Sequence, residues 1–400
     1  MKNKKYIIII TILLVLLVSL IIYFVKSSNN TTNSNNNTNN STNTTTTTAD
    51  TYNKSDIFTD RDLEQTVDTT SAKKYNVSSG EDITITEEGI YVLSGTASNT
   101  TVYIEAEDQD KVQLVLDGLN ITNEDFPCIY VKSGDKVFVT TANDSSLSVT
   151  KTFTADGETN TDGVIFSRSD VVLNGTATLT INSTDNGVVS KDDLKITGGT
   201  YNITATSKGL EANDSIAIVE ATLNIKAGTD GLHAEYDEDD SVGYIYIGGG
   251  NIDINAQDDG IHATTIVQID GGTINVKAAE GIEGTYILIN DGTITVEATD
   301  DGINAASKST KYSIKVEING GNININMGQG DTDAIDSNGD LLITSGTINI
   351  TAQSPFDYDG TGSKTGGTLI VNGTETDTLT NQMMGGGNPN DYRGGNQRRG

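Results

Sequence analysis

The 400-residue sequence has a single cysteine, no tryptophan, two histidines and few bases: 25 Lys and Arg against 55 Asp and Glu, a net charge of -30. One thiol excludes an intrachain disulfide, and Cys128 reads as a small buried apolar residue. The shortage of clustered Lys and Arg excludes nucleic acid as a partner, because phosphate contacts need them. An acidic excess of this size suits a solvated surface or a binder of cations. The lack of tryptophan argues against the usual stacking platform for a crystalline glucan. Helical crossovers are missing too: no repeat holds a helical stretch long enough for a βαβ unit.

The long apolar run is Tyr6 to Val25, preceded by Lys2, Lys4 and Lys5 and closed by Lys26. At about 1.5 Å per residue it spans roughly 30 Å, the thickness of a bilayer's hydrocarbon core. Leading lysines favour a cytoplasmic start and an exported remainder. With no clear small-residue cleavage site, residues 1–26 are expected to form an uncleaved signal anchor, or a secretion signal if cleaved. Residues 27–54, rich in Asn and Thr, are expected to be a disordered spacer. Residues 376–400, with Arg393, Arg398 and Arg399 in a Gly/Asn-rich background, are expected to be a disordered tail able to touch an anionic cell wall. The folded domain is assigned to residues 55–375.

That domain repeats. A small or acidic residue, a glycine and an aliphatic recur around Gly163, Gly187, Gly209, Gly231, Gly260, Gly281 and Gly302, with Ala334 in the last such place. A second marker, Gly followed by Thr or Asn, opens alternating runs such as "GTINVKA" and "GTITVEA". Alternation means half-buried strands with a tightly fixed register. A short period of strands and glycine turns predicts an all-β solenoid, a parallel β-helix with a thin apolar stack. The segments from Gly80 to Asn160 read as its first coils and cap.

Stacking turns the repeat into columns about 4.8 Å apart. Before the glycine stand Asp230, Asp259, Glu280, Asp301 and Asp333; two beyond it stand Glu211, His233, His262, Glu283, Asn304 and Asp336. Carboxylates at that spacing repel by about 1 kcal/mol in water and about 3–4 kcal/mol at an effective dielectric near 20. Oxygen-rich ligands without thiolates suit a hard cation, so Ca²⁺ is expected on this edge, a solvated acidic edge being the alternative. Candidate ligands are Asp230, Asp259, Glu280, Glu283, Asp300, Asp301, Asp333 and Asp336. His233 and His262, with Asp230 and Asp259, would alternatively hold Zn²⁺ or donate hydrogen bonds to a sugar. A polar face carrying Asn275 and Lys277 is a candidate carbohydrate surface, or a ladder that stabilises the solenoid. The strand before it presents Tyr244, Ile266 and Tyr286 as a candidate sugar platform, unless a loop, "EYDEDDSVG" or "SKSTKY", covers them.

The stretches "SKDDLKITGGTYNITA", "DDGIHA", "EGIEG", "DDGINA" and "DAIDSNGDLLIT" resemble a carbohydrate-binding domain family of anaerobic bacterial cell surfaces. The resemblance covers roughly Ser55 to Gly373. It implies a right-handed parallel β-helix with bound Ca²⁺, similar in architecture to family 9 polysaccharide lyases, and binding of cellulose or pectin-type acidic polysaccharide. It also implies that Asp258, Asp259, Glu280, Glu283, Asp300, Asp301, Asp333 and Asp336 lie in the calcium-bearing segment. Thr264 stands where a further acidic residue is expected after "DGIHA".

Three functions follow as expectations. The first is calcium-dependent, non-catalytic binding of a polygalacturonate-like, cellulose-like or wall polymer at the outer face of the cell membrane. The second is a uronate lyase with Lys226, Lys277 or Lys315 as base, although Lys226 and Lys277 fall on a strand away from the acidic turn. The third is a structural adhesin rod.

Overall fold

The computed structural model describes residues 51–328 and 332–381. All belong to one compact unit, Asp50–Gly400. The apolar run 6–25, residues 27–50 of the expected spacer and residues 382–400 of the expected tail lie outside the described residues, whereas residues 51–54 and 376–381, expected to be disordered, are held against the fold through Tyr52 on Tyr244 and Asn381 on Tyr358. Among those described, no helix is long and apolar enough to cross a membrane.

The alternating runs form strands that pair in parallel with their counterparts one coil later. Thr273–Ala278 pairs with Thr293–Ala298, which pairs with Asn322–Met327, in register Ile274 to Ile294 to Ile323. Side chains on one face therefore pile apolar on apolar, as the period-2 pattern requires. A 12-stranded sheet runs from Ile83–Ile85 to Ser354–Tyr358, beside a 24-stranded one. In an early coil the 13-residue strand Lys111–Asn123 serves two ladders: its first half pairs with Lys136–Asn143, its second with Ser145–Val149. Later coils split that strand at a turn, as between Ile266–Ile269 and Thr273–Ala278, where Gly272 adopts φ 101°. This all-β architecture of long parallel sheets is consistent with a β-helix or solenoid. Its core is one apolar cluster reaching from Val77 to Leu369, with Ile261, Ile282, Ile303 and Ile335 fully buried. Cys128 is buried in the same cluster, its thiol pushed up to about 12 by burial.

The two glycine markers do different jobs. The glycine of "GT" is the turn residue and needs its positive φ. The glycine of "DGI" sits inside a strand or just before one, as Gly260 does within Asp259–Ala263 and Gly302 ahead of Ile303–Ala305. A Cβ on Gly260 would stand 2.6 Å from the carbonyl oxygen of Gly281 in the next coil. Close approach of coils, not turn geometry, fixes that position.

One expectation is corrected. Ile266 and Tyr286 are buried rather than presented to solvent, as are Tyr246, Gln268 and Leu288 on the neighbouring positions of the same strands. The chain from Tyr52 to Gln65, rather than the "EYDEDDSVG" loop, lies along this flank. Tyr52 stacks on Tyr244 at 4.0 Å, and its backbone exchanges hydrogen bonds with the Gln268 amide. Ile57 and Phe58 pack with Ala217, Val219 and Tyr246. Asp62 is fully buried between Lys136 at 3.4 Å and Lys195 at 3.6 Å. The second insertion does act as a cover: Tyr312 of "SKSTKY" packs on Tyr286, whose hydroxyl donates to Glu317. Apolar rings on a solenoid flank are thus buried by the chain itself. Tyr244 and Tyr286 are not an open platform.

Candidate ion-binding edge

The acidic columns exist as read. His233 pairs with His262, His262 with Glu283, Glu283 with Asn304 and Asn304 with Asp336. The chain adds a further member: Asp336 pairs with Asp357 in Ser354–Tyr358. Between the columns the aliphatics turn inward, which pins both rows of acids to one edge of the 12-stranded sheet.

In the first half of the edge the acids serve the histidines. His262 Nδ1 donates to Asp259 Oδ2 at 2.8 Å and lies 2.8 Å from Glu283 Oε2. His233 Nδ1 lies at ion-pair distance, 2.7 Å, from Asp230 Oδ2. The imidazoles stack at 4.7 Å. Their Nε2 atoms both face Glu235, at 3.2 Å from His233 and 3.6 Å from His262. Lys308 closes the group at 2.9 Å from Glu283. Burial alone would lower the His262 pKa, but bonds and charge from Asp259 and Glu283 outweigh it and push it up to about 9. Glu235 is drawn down to about 2, first by its bond to His233 and then, against desolvation, by the charges of both imidazoles.

The second half is made of oxygen. Asp301, Asp333, Asp336 and Asp357 come from three successive coils. Asp301 Oδ1 accepts the Asp333 N–H at 3.1 Å, and the Ser354 hydroxyl donates to Asp333. Asp336 is pushed up to about 7 by burial and then by Asp301, Asp357, Asp333 and Asp359. Asp301 is pushed up to about 6 by burial, then by Asp300, Asp333 and Asp357, against the Asp333 N–H. Glu280, between the halves, goes to about 7 through burial and then Glu283, Asp259 and Asp301, although Asn304 donates to it at 3.0 Å. The all-aspartate donor set has the chemistry of a hard-cation site. Its ligand atoms are not yet gathered: among the described residues, the groups of three converging within 4.8 Å are His233, Glu235, His262 and Asp259, His262, Glu283.

Not every expected residue joins. Asp258 and Asp300 each sit one place before the column and are exposed. Asn275 and Lys277 lie exposed on the open strand face, with Lys277 3.7 Å from Glu297. That face carries an amide ladder, in which Asn224 donates to Asn202 at 2.8 Å. Lys315 is held by Glu317 at 2.6 Å and lies over the Tyr286 ring. Sequence reasoning missed Glu235, Lys308 and Asp357. Glu235 had a signal: it follows "LHA" as Thr264 follows "IHA", so the acid sought after the second histidine stands one coil earlier. Asp357 had a weaker one, because "SPFD" replaces "DAID" and loses the small marker residue to Pro355. Lys308 is in an insertion outside the repeat and had none.

Among comparisons with known proteins, the family model shows the family. A family model described as carbohydrate-binding domain-containing protein matches residues 79–334 and 278–381. A carbohydrate-binding domain-containing protein of Acetivibrio thermocellus is 34% identical over 126 residues. That stretch is 30% of this chain and 44% of the relative, so the match spans less than half of the relative's length. Among solved structures, a polysaccharide lyase-like protein from C. thermocellum, as a gadolinium derivative, is similar at 23% identity and a TM-score of 0.42. The similarity covers 75% of this chain and 94% of that one.

Proposed function

The chain belongs to the family of carbohydrate-binding domain-containing proteins, and from that premise we propose that it binds acidic polysaccharide, without cleaving it, through Ca²⁺ held on the aspartate half of the edge. The observation that carries this reading is the stacking of Asp301, Asp333, Asp336 and Asp357 in successive coils, where burial and the neighbouring aspartates push Asp336 and Asp301 up. Burying carboxylates beside one another is unfavourable unless protons or cations offset it. Asp301, Asp333, Asp336 and Asp357 are the residues that would hold the ion, by small rotations of their side chains. Bound Ca²⁺ supplies positive charge and open coordination positions for uronate carboxylates. The exposed face bearing Asn224, Asn275 and Lys277 supplies amide and ammonium groups for a chain of hydroxyls. The right-handed winding and the placing of the domain on the outer cell surface by residues 1–26 belong to the same reading.

A lyase reading requires a base beside the ion. Lys226 and Lys277 lie together on a different strand face and Lys315 is engaged by Glu317, so no observation favours it. The test is affinity electrophoresis of the chain through gels containing polygalacturonate, cellulose derivatives or neutral glycans, with Ca²⁺ and with chelator. Retardation by polygalacturonate that chelator abolishes is expected. Equal mobility in every gel would end the proposal, and ultraviolet absorbance from unsaturated uronate would replace binding with elimination.

A further inference from the structure

The geometry points to a second, chemically different metal site on the histidine half: a zinc-class ion held by His233 Nε2, His262 Nε2 and Glu235, with its fourth position open to the neighbouring cleft. It stands independently of the polysaccharide reading. One ligand atom from each of these three residues lies within 4.8 Å of the other two. Atoms about 2.0–2.1 Å from a tetrahedral zinc are about 3.3–3.4 Å apart, and Glu235 Oε2 is 3.2 Å and 3.6 Å from the two nitrogens. The nitrogens are turned outward for a reason. Each Nδ1 faces a carboxylate three residues earlier in its own chain segment, Asp230 for His233 and Asp259 for His262. For His262, whose Nδ1 donates to Asp259 at 2.8 Å, that is the carboxylate–histidine arrangement that orients an imidazole toward zinc; His233 Nδ1 lies 2.7 Å from Asp230 without making a hydrogen bond.

A separate observation concerns satisfaction. His262 is only 6% exposed, and its Nε2 is buried without a hydrogen-bond partner. A buried polar atom left so is costly, and an ion between it and Glu235 would remove the cost. The alternative group of Asp259, His262 and Glu283 uses Nδ1 and is already satisfied, since Glu283 is bound by Lys308 and Asp259 receives the ring proton. Imidazole donors separate this site from the aspartate half, because zinc takes nitrogen and Ca²⁺ takes oxygen. Two histidines and one glutamate are three protein ligands, which leaves a position for water or an exogenous anion. His233 and Glu235 also line a cleft of about 450 Å³ with Lys191, Lys208 and Asn213, so that position has access to solvent.

The test uses the full chain, solubilised and stripped with chelator, then titrated calorimetrically with Zn²⁺ in excess Ca²⁺. Expected is one tight site that Ca²⁺ does not displace. Glu235→Gln is expected to weaken it at least about tenfold and His262→Gln about a hundredfold. Asp230→Asn, a positioning change, is expected to weaken it about tenfold while keeping the cobalt spectrum. Co²⁺ in place of Zn²⁺ should give intense tetrahedral visible bands that shift on adding azide. Glu235 is partly exposed, so its variant remains informative even where the histidine variant fails to fold. Zinc affinity unchanged by Glu235→Gln, displacement of Zn²⁺ by Ca²⁺, or no Zn²⁺ bound by the folded chain would each overturn the site. Cobalt bands insensitive to azide would overturn the open position.

Discussion

At Asp230 and at Asp301 the chain makes the same local structure. One carboxylate oxygen accepts the backbone N–H of the acidic residue a coil later, at 3.2 Å from Asp259 and 3.1 Å from Asp333. Three residues on, at His233 and at Asn304, the halves part. One half of the column carries imidazoles braced by carboxylates, and the other runs from Asn304 to Asp336 and Asp357. The first half supplies internal positive charge through His262 and Lys308. In the second, burial and four neighbouring aspartates act on Asp336. A repeat therefore fixes where side chains stand, while a single column position sets whether nitrogen or oxygen atoms are offered there.

The comparison can be tested from its largest consequence down. Ile282 is fully buried beside the column, between the two halves. Ile282→Ala should cost about 2–5 kcal/mol in denaturant unfolding and weaken both halves together. A loss confined to one half would show that the coils do not share one core.

Next comes ion selectivity. At a Ca²⁺ concentration about 100-fold above its dissociation constant, the fold should gain about 2.7 kcal/mol, seen as a raised melting temperature. Asp336→Asn should remove that gain and His262→Gln should leave it. The reverse pattern would exchange the assignments of the two halves.

Acid and base should then separate the halves in chelator. Asp336 and Asp301 sit at about 7 and about 6 when folded against 3.8 ordinarily, so between these values the folded chain holds protons the unfolded chain has released. Their contribution is complete below about pH 4 and is lost as pH rises through about 7. His262 at about 9 against 6.5 acts in the same direction but higher: its contribution is full below about pH 6.5 and is lost through about pH 9. Urea midpoints across pH should show both windows, with Asp336→Asn flattening the lower and His262→Gln the upper. One merged transition would contradict the division. The smallest effect is expected for Asp258→Asn and Asp300→Asn, exposed residues off the columns, at within about 0.5 kcal/mol and with ion binding intact.

The stacking was legible in the sequence because it is written in period-2 alternation and a repeated glycine, and the register follows the columns from Glu211 to Asp336 residue for residue. What was illegible belongs to chain that does not repeat. Lys308 lies in an insertion, and the segment around Asp62 lies ahead of the first coil, so no column could place either. The tyrosine stripe was read as exposed because strand alternation tells which face a ring is on, not whether another segment covers that face. Glu235 was within reach by aligning "LHAE" with "IHAT".

The flanking segment has a mechanical meaning. An array whose units touch only their neighbours frays from its ends, one coil at a time. Here the stretch from Tyr52 to Gln65 grips Gln268 and Tyr244 at one end, and Lys136, Gly175 and Lys195 further along. A pull on the polypeptide ahead of Tyr52 would enter the stack at mid-height and in shear, spread over several rungs, instead of peeling the terminal one.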